Sequence, residues 1–508
     1  MKIIIVGGGT AGWLAALFIS KVRPEHEVVV IESSNIGIVG AGEGSTGLLT
    51  NIISNAIWNF GCDHKEFLRE TGATLKYGIK HINWTGSGNH YYGPIDGTMS
   101  YSAIPDGAFA YQHSGNNSSI LHTASEMGML LESGMSNVNK HTKKFTDYSH
   151  ALHFDAHKVG KYFKKLVLKN NQVSHVDLEV LDVNVNEHGC ISSLTMENQE
   201  KIVGDFFIDA TGFKRVLMTK LKTPWVSYKK HLPVNSAMPF ILNYESTEGP
   251  DPYTTAWAQS SGWMWQIPTI ERKGCGYVYC DEFITDTQAH EEIEKTLGKP
   301  ITPIRVLKFD TGRLETPWVK NCLAIGLAAA FAEPLEATSI HSTIVQINKF
   351  VFEFLKPTVE LTINSGSIQN YNTKINKMYD DFKDFLVLHY MGGRTDSEFW
   401  KYISSGATKT EFVNTIIEMS KSKMPTFNDF NEYYGAAGWP IWAWVLAGTN
   451  LLSRDVSARE LNWNIAGFGN YRDASKKELE LWQTQQTAKL KNNLTYKDFI
   501  QELKNGKM

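Results

Sequence analysis

The first 32 residues show an apolar run, a helical pattern and a second apolar run. The apolar run at residues 3–6 predicts a buried strand. Apolar side chains then recur at three-residue steps over residues 13–22, which predicts a helix, and Pro24 ends it because proline cannot continue a helix. A second apolar run at residues 28–31 ends on the acidic Glu32. This order predicts a β-α-β unit.

Two later apolar runs also end in small residues. One is DFFIDATGF at residues 205–213, and the other is NCLAIGL at 321–327, which contains Gly326. Such returns of the chain to one sheet predict a discontinuous α/β, Rossmann-like domain, formed by residues 1–220 and 300–355. β-rich patches predict an inserted sheet at 221–299, and helical patterns predict a mostly helical region at 356–508.

Glycines occupy the turn between the first strand and the first helix. Gly7 allows a tight turn, Gly9 allows the backbone to approach a pyrophosphate, and Gly12 allows close packing of helix and strand. Glu32 follows Gly12 by 20 residues, where an acid accepts hydrogen bonds from ribose hydroxyls. The motif therefore predicts a dinucleotide site. The repeated returns to the sheet favour FAD over NAD.

Composition narrows the class of protein. A chain of 508 residues is expected to form two or more domains. The net charge of −3 gives no basic surface for nucleic acid or an anionic membrane, and no apolar run approaches the roughly 20 residues of a membrane span. The five cysteines show neither metal-type nor disulfide-type spacing, so we expect free thiols and no metal. The N-terminus shows no leader-type segment, which predicts a cytoplasmic protein.

The segment SGWMWQIPTI at residues 261–270 places two tryptophans two positions apart. Side chains alternate between the faces of a strand, so Trp263 and Trp265 are expected on the same face. Two interpretations remain open at this point. The indoles form either the inward face of a buried strand or a wall beside a reactive centre.

The segment EPLEATSIHST at 333–343 predicts the start of a helix. Thr338 and Ser339 are favourable N-cap residues, and apolar residues recur at helical spacing from 340 to 354. A helix start with free N–H groups is suited to an anion, although a simple capped helix is the alternative. Taken alone, Glu336 is a carboxylate near a helix start and Lys76 is a surface charge.

Six segments in chain order resemble the flavin-dependent tryptophan-halogenase family. They are GGGTAGW, GAGEGS, ATLKYGIKHINW, YSHALHFDA, WMWQIP and EPLEATSIH. The WxWxIP motif of the family is matched by Trp263, Trp265, Ile267 and Pro268. The resemblance implies an FAD-binding domain of the flavin monooxygenase type, with substrate binding in the region 356–508.

The resemblance also implies a reaction. A separate flavin reductase supplies FADH2, which reacts with O2 to form a flavin hydroperoxide. A halide ion (chloride, bromide or iodide) attacks it and gives hypohalous acid, which halogenates a small aromatic or indole substrate by electrophilic substitution. A flavin-dependent aromatic hydroxylase is the alternative, and a non-catalytic flavoprotein is a third possibility.

Site residues follow from motif position. The resemblance assigns catalysis to Lys76 and Glu336, and halide binding to the backbone of Thr338 and Ser339. It assigns Trp263, Trp265 and Pro268 to a barrier between flavin and substrate. The residues assigned to FAD are Gly7, Gly9, Thr10, Ala11, Gly12, Glu32, Gly42, Glu43 and Gly326.

The substrate pocket is assigned less directly. His90 and Tyr92 of HYYG resemble a family segment that sandwiches the substrate, and a surface loop is the alternative for His90. Trp439 and Trp442 are further candidates, and packing in a helical core is their alternative. The chain departs from the family at Ala337, where serine is usual. It also departs at Ser339, where the tryptophan-specific members have glycine, but backbone donors survive both changes.

Overall fold

The computed structural model describes residues 1–36, 43–55, 57–95, 107–115, 124–169, 173–246, 248–356, 364–430, 439–462, 464–465 and 469–508. The chain divides into two compact units, and each is built from three separate stretches. The first unit comprises Met1–Gly72, Phe154–Lys229 and Asp310–Asp380. The second unit comprises Ala73–His153, Lys230–Phe309 and Asp381–Met508.

Helices occur along the whole of the described chain. A π-helical turn, Phe350–Phe354, follows one of them. The α-helices are Thr10–Val22, Gly47–Ile53, His64–Thr71, Gly107–Ser114, Glu126–Ser133, Ala156–Leu168, Val216–Lys220, Asp286–Leu297, Thr338–Lys349, Ser365–Tyr390, Glu398–Ser404, Glu411–Ser420, Trp439–Gly448, Arg454–Glu460, Tyr471–Leu490 and Tyr496–Lys504.

A mostly parallel sheet of six described strands forms the centre of the first unit. Its spatial order is Trp318–Val319, Cys322–Ala324, Phe206–Asp209, Lys2–Val6, Glu27–Glu32 and Val173–Asp177. Only the first pair in this order is antiparallel. Two small sheets accompany it, made of Val180–Val185, Ile191–Met196 and Lys201–Val203, and of Trp225–Ser227, Gly312–Leu314 and Ala330–Phe331.

The predicted β-α-β unit is confirmed. Strand Lys2–Val6, helix Thr10–Val22 and strand Glu27–Glu32 follow one another, and the helix ends at Arg23 as expected. Both faces of the first strand are buried, since alternate residues lie on opposite sides of a sheet. Parallel strands covered on both faces are continuously apolar, which is why the run was visible in the sequence.

A sheet of seven described strands forms the centre of the second unit. Its order is Leu307–Lys308, Ser236–Asn243, Arg272–Tyr279, Gly262–Pro268, Tyr253–Ala258, Gly78–Ile82 and His90–Gly93. One face packs into a core with helix Asp286–Leu297, and Met264 lies in that core. The remaining strands are Glu43–Gly44, Thr74–Lys76, Ala151–Phe154, Met135–Asn139, Asn493–Thr495, Asn464–Ile465 and Gly469–Asn470.

The division into units differs from the predicted domain boundaries. Residues 73–153 were expected in the FAD domain, but they lie in the second unit. Strand Gly78–Ile82 pairs there with Tyr253–Ala258, so the sheet predicted at 221–299 takes two of its strands from a distant stretch of the chain. The regions predicted at 221–299 and 356–508 fall largely into that same unit.

Two simpler expectations concern the cysteines and the membrane. All five cysteines are free thiols, and four of them are buried. In the part of the chain that the structure describes, no helix is both long and apolar enough to cross a lipid bilayer.

Candidate active site

The glycine turn of the first unit is closely packed on one side and open on the other. A Cβ at Gly7, where φ is +116°, would lie 2.3 Å from the carbonyl oxygen of Ala210. A Cβ at Gly12 would lie 1.9 Å from the carbonyl oxygen of Gly7. At Gly9, which caps helix Thr10–Val22, a Cβ would meet no described atom within 4 Å. Backbone N–H groups at a helix start beside open space suit a pyrophosphate, so the residues fit FAD.

Glu32 lies at the end of the adjacent strand and is already hydrogen-bonded. Its Oε1 accepts from Nζ of Lys164 at 2.5 Å and from Nε2 of His175 at 2.9 Å. Its Oε2 lies against Gly8, where a Cβ would be only 1.4 Å away. The sequence pattern predicted Glu32 but not its two partners.

Asp209 shapes the second return to the sheet, and sequence reasoning missed its role. Its carboxylate accepts from the Thr211 hydroxyl at 2.6 Å and from the backbone N–H groups of Leu217 and Met218 at 2.8 and 3.0 Å. Burial raises the pKa of Asp209, while these hydrogen bonds oppose the rise. The position of Asp209, an acidic residue at the end of an apolar strand, was the sequence feature that could have indicated this role.

The third return brings Gly326 against the first helix. A Cβ at Gly326 would lie 3.0 Å from Cβ of Ala11. The Gly326 N–H donates to Oε1 of Gln346 at 3.2 Å, and the Tyr379 hydroxyl donates to the same oxygen at 3.0 Å. Gln346, a fully buried polar residue of helix Thr338–Lys349, was not singled out from the sequence.

The helix predicted at the EPLEAT segment is present, but its predicted cap is wrong. Helix Thr338–Lys349 is capped by Ala337, with φ 54° and ψ 36°, and not by Thr338 or Ser339, which are its first two residues. The chain enters the helix through a left-handed residue, so in this described segment no side chain caps the first turn. N–H groups of a first turn have no acceptor within the helix. An anion there would satisfy them.

Two other polar residues, Glu336 and His341, lie at this helix start, and Glu43 is a further carboxyl group of the same unit. Glu336 is half-buried and precedes the capping alanine. Nδ1 of His341 lies 2.8 Å from the hydroxyl of Thr46, the N-cap of helix Gly47–Ile53, and burial lowers the pKa of His341 to about 4. Burial first, and then the Asp155 charge, raises the pKa of Glu43 to about 7. Gly42 lies outside the described residues.

Lys76 of the second unit is buried, with 1% of its surface exposed. Strand Thr74–Lys76 pairs with Ala151–Phe154, and the Thr74 hydroxyl donates to the Pro268 carbonyl at 2.6 Å. Burial first, and then the Lys76 charge, lowers the pKa of His153 well below its usual value. The surface-charge interpretation of Lys76 is therefore excluded, and its strand is joined directly to the end of the WxWxIP strand.

The two indoles of WxWxIP lie on the same face of the second unit's sheet, as predicted. Trp265 pairs with Ala256 and Gly276, and Trp263 pairs with Ala258. The small residues Ala256 and Gly276 leave room for the Trp265 ring, and the centroids of the two indoles are 6.4 Å apart. Trp263 is 1% exposed, whereas Trp265 is half-buried.

His90 and Tyr92 lie on the opposite face from this pair. Tyr92 pairs with Lys80, whose Nζ is 5.6 Å from the Tyr92 ring centroid, and His90 is exposed. Tyr91 instead pairs with His81, and the two rings stack at 4.5 Å. His81 pairs in turn with Ala256, so period-two alternation places His81 and Tyr91 on the face of the tryptophans.

Two of the tryptophans of helix Trp439–Gly448, Trp439 and Trp442, are candidates for the substrate pocket, and the structure describes the side chain of Trp442 alone among these two. Trp442 is fully buried among Phe385, Phe412 and Phe430, with ring centroids 5.4–5.5 Å away. Those contacts favour its role as part of a helical core. Trp439 begins the helix, and its side chain lies outside the described residues.

Comparison with known proteins gives a consistent assignment. The family model described as tryptophan halogenase matches residues 2–461. Tryptophan 6-halogenase SttH of Streptomyces toxytricini is 30% identical over 481 residues, which cover 89% of this chain and 90% of that protein. Tryptophan 7-halogenase RebH of Lentzea aerocolonigenes is 29% identical over 85% of each chain.

Solved structures agree with these sequence relatives. The crystal structure of SttH has a TM-score of 0.87 at 27% identity and covers 98% of each chain. The tryptophan C-6 flavin-dependent halogenase Tar14 of taromycin biosynthesis also has a TM-score of 0.87 at 27% identity, over 99% of each chain. The chain therefore belongs to the flavin-dependent tryptophan-halogenase family.

Proposed function

We propose that this protein uses FADH2, O2 and a halide to halogenate an electron-rich aromatic substrate, with tryptophan or another indole as the first candidate. The observation that carries the proposal is the buried Lys76, whose strand is hydrogen-bonded to Pro268 of the WxWxIP motif. A lysine at 1% exposure has lost its hydration, which is costly unless its charge is paired or hydrogen-bonded, so its burial supports a specific role for the ammonium. The named activities of the relatives SttH and RebH support tryptophan as the candidate substrate.

The first unit holds the cofactor in this proposal. Reduced FAD, when bound, supplies the electrons that let O2 oxidise a halide to hypohalous acid. The open side of Gly9 and the start of helix Thr10–Val22 receive the pyrophosphate. Glu32 accepts from the ribose. The remaining residues assigned to the cofactor are Gly7, Thr10, Ala11, Gly12, Gly42, Glu43 and Gly326.

The start of helix Thr338–Lys349 binds the halide. The N–H groups of Thr338 and Ser339 lie in a first turn that has no side-chain cap within the described segment. The aligned peptide dipoles add a partial positive charge at the same place. Backbone donors bind chloride, bromide or iodide without distinguishing strongly among them, so the halide preference is to be measured.

Lys76 and Glu336 carry the substitution. The Lys76 ammonium donates to the oxygen of hypohalous acid, which makes the halogen more electrophilic, and a buried site strengthens that interaction. The Glu336 carboxylate stabilises the ring cation and accepts the ring proton. The reaction replaces one ring hydrogen by the halogen and releases one water.

Trp263, Trp265 and Pro268 act as the barrier that keeps an organic substrate from the flavin. The two indoles on one sheet face support this role, Pro268 ends the same strand, and none of the three side chains takes part in proton transfer. A hydroxylase needs the opposite arrangement, because its substrate carbon must reach the flavin. His90 and Tyr92 are weaker substrate candidates, since they lie on the other face of the sheet.

The proposal includes a partner and a location. FADH2 comes from a separate flavin reductase, as in the resemblance, and the cytoplasmic location stays a prediction. A reductase that supplies free FADH2 needs no dedicated docking surface. An unrelated flavin reductase is therefore expected to support activity.

The test is product analysis by mass spectrometry with FADH2, O2 and each halide in turn, over a panel of indoles, phenols and anilines. We expect a halogenated aromatic product. Lys76→Met should lower the rate of formation of that product at least 100-fold, while the oxidation of FADH2 by O2 continues. Lys80→Met is the matched control, because Lys80 lies over Tyr92 on the other sheet face. A hydroxylated product without halogen under all three halides would favour the hydroxylase.

A further inference from the structure

We propose that Lys164 and His175 are positioning residues that hold the Glu32 carboxylate for the adenosine ribose of FAD. This arrangement also makes the site selective for a ribose without a 2′-phosphate. The inference rests on the proposed FAD binding, and it assigns work to two residues that no motif includes. Neither residue is expected to touch the flavin ring.

Strand register places Glu32 beside His175. Val30 pairs with His175 across the parallel strands Glu27–Glu32 and Val173–Asp177. Glu32 is two positions beyond Val30, so its side chain lies on the same face as the His175 ring. The carboxylate oxygen can only accept, so the His175 Nε2–H donates over 2.9 Å. The backbone is fixed as well, because the Leu178 N–H donates to the Glu32 carbonyl at 2.9 Å.

Lys164 reaches the same carboxylate oxygen from helix Ala156–Leu168. Its Nζ lies 2.5 Å from Glu32 Oε1 and 3.3 Å from His175 Nε2. The side chains of Glu32 and Lys164 are 19% and 33% exposed, so solvent screens the pair only in part. The pair contributes mainly by orienting the Glu32 carboxylate, since Lys164 and His175 both donate to the same oxygen.

The Trp13 ring contacts both donors, Lys164 and His175. Its ring centroid is 5.6 Å from Lys164 Nζ and 5.7 Å from the His175 ring centroid, and it is 1% exposed. Trp13 directly follows Gly12 in the first helix. The helix that receives the pyrophosphate therefore also fixes the two donors of Glu32.

The second oxygen of Glu32 is turned to the glycine turn. Both donors use Oε1, whereas Oε2 lies where a Cβ of Gly8 would be, 1.4 Å away. In a dinucleotide site of this class the ribose hydroxyls approach the acid at that turn. A 2′-phosphate would meet a carboxylate there, and its natural ligands, a lysine and a histidine, are already bound to Glu32.

The test measures binding to the full-length, FAD-free protein by calorimetry, with FAD, ADP and FMN as probes. Lys164→Met is expected to weaken FAD and ADP binding about tenfold and to leave FMN unchanged, because FMN lacks the adenosine. Lys164→Arg should restore most of the affinity, which separates a lost donor from misfolding. Lys165→Met is the matched control, because Lys165 pairs with Glu66 and Glu70 on the surface.

A double-mutant cycle makes the test specific to Glu32. In a Glu32→Ala background, which removes the acceptor of both donors, Lys164→Met should have less than a twofold effect on ADP binding. Glu32→Ala should free both donors and raise affinity for ADP carrying a 2′-phosphate at least tenfold relative to ADP. His175→Phe should lower ADP affinity in the same direction as Lys164→Met.

Three outcomes would overturn the inference. They are an unchanged ADP affinity in Lys164→Met, an equal effect of that change with Glu32 present or absent, and a wild-type preference for the 2′-phosphorylated probe. Failure of halogenation is separate, because the binding measurements contain no halide and no aromatic substrate. ADP binding that follows the cycle, in a protein that makes no halogenated product, supports this inference and refutes only the proposed reaction.

Discussion

Gly276 lies directly beneath the indole of Trp265, on the neighbouring strand. A Cβ at position 276 would be 2.1 Å from Cη2 of the Trp265 ring. The indole cannot keep its place above any larger residue, because carbon atoms do not approach so closely. The partly exposed position of Trp265 thus depends on a glycine that no sequence motif includes.

Gly276→Ala is therefore expected to displace the Trp265 indole. We expect a loss of about 1–3 kcal/mol in the free energy of unfolding, as for other overpacked positions, together with a change in tryptophan fluorescence. Urea titration followed by fluorescence measures both. Gly249→Ala is the control, since a Cβ there would meet nothing within 4 Å. Equal stability of the two variants would contradict the packing described here.

Trp263 and Trp84 provide a second, matched comparison. Both rings are 1% exposed, but the Trp84 Nε1–H donates to the Ala256 carbonyl at 2.9 Å, whereas that of Trp263 has no acceptor among the described residues. Trp84→Phe should therefore destabilise the protein by about 1 kcal/mol more than Trp263→Phe, because it removes a buried hydrogen bond that the Trp263 indole does not make among the described residues. Chemical denaturation decides this, and equal losses would show that Trp263 has an acceptor.

Ala337 is a non-glycine residue in the left-handed region, with φ 54°. A Cβ in that region costs roughly 1–2 kcal/mol, so Ala337→Gly should raise the free energy of unfolding by about 1 kcal/mol. Ala488→Gly, on the exposed side of helix Tyr471–Leu490, should have the opposite sign. Thermal unfolding of both variants measures the contrast. A loss of stability in Ala337→Gly would contradict the strain.

His341 makes the free energy of unfolding depend on pH in the acidic range. Its pKa is lowered to about 4 by burial, below its ordinary value of 6.5. The unfolded chain therefore takes up this proton first as the pH falls. The stabilising contribution of the neutral ring is complete above pH 6.5 and is lost as the pH falls towards 4, at a cost of about 2 kcal/mol near pH 4.5.

His341→Gln should make the free energy of unfolding less dependent on pH between 7.5 and 4.5. Urea midpoints at several pH values give the slope. His188→Gln is the control, because the His188 side chain is 78% exposed. A slope in His341→Gln that equals the slope of the unaltered protein would exclude His341 as the source.

Local features of the chain could be predicted, and features set by distant pairing could not. The first strand, the glycine turn and the first helix depend on neighbouring residues, so residues 3–22 were predicted correctly. The face occupied by Tyr92 depends on its register with Lys80, and a change of one residue would have reversed it.

The helix cap shows how tertiary structure overrides a local preference. Threonine and serine favour the N-cap position, yet Ala337 occupies it, because the chain arrives from the Pro334 turn in a left-handed conformation. The burial of Lys76 could not be predicted from the local sequence either. A short strand bonded to Pro268, nearly 200 residues away, removes it from solvent, and no local pattern reports such a contact.

The alternation within strand Gly262–Pro268 limits how this segment can change in evolution. Met264 belongs to the core beneath the sheet, while its two tryptophan neighbours lie on the other side. Insertion or deletion of one residue would carry both indoles into that core and bring the methionine out. Variation here is thus confined to exchanges of side chains at constant length. Folding alone is therefore a sufficient reason for the spacing of the motif.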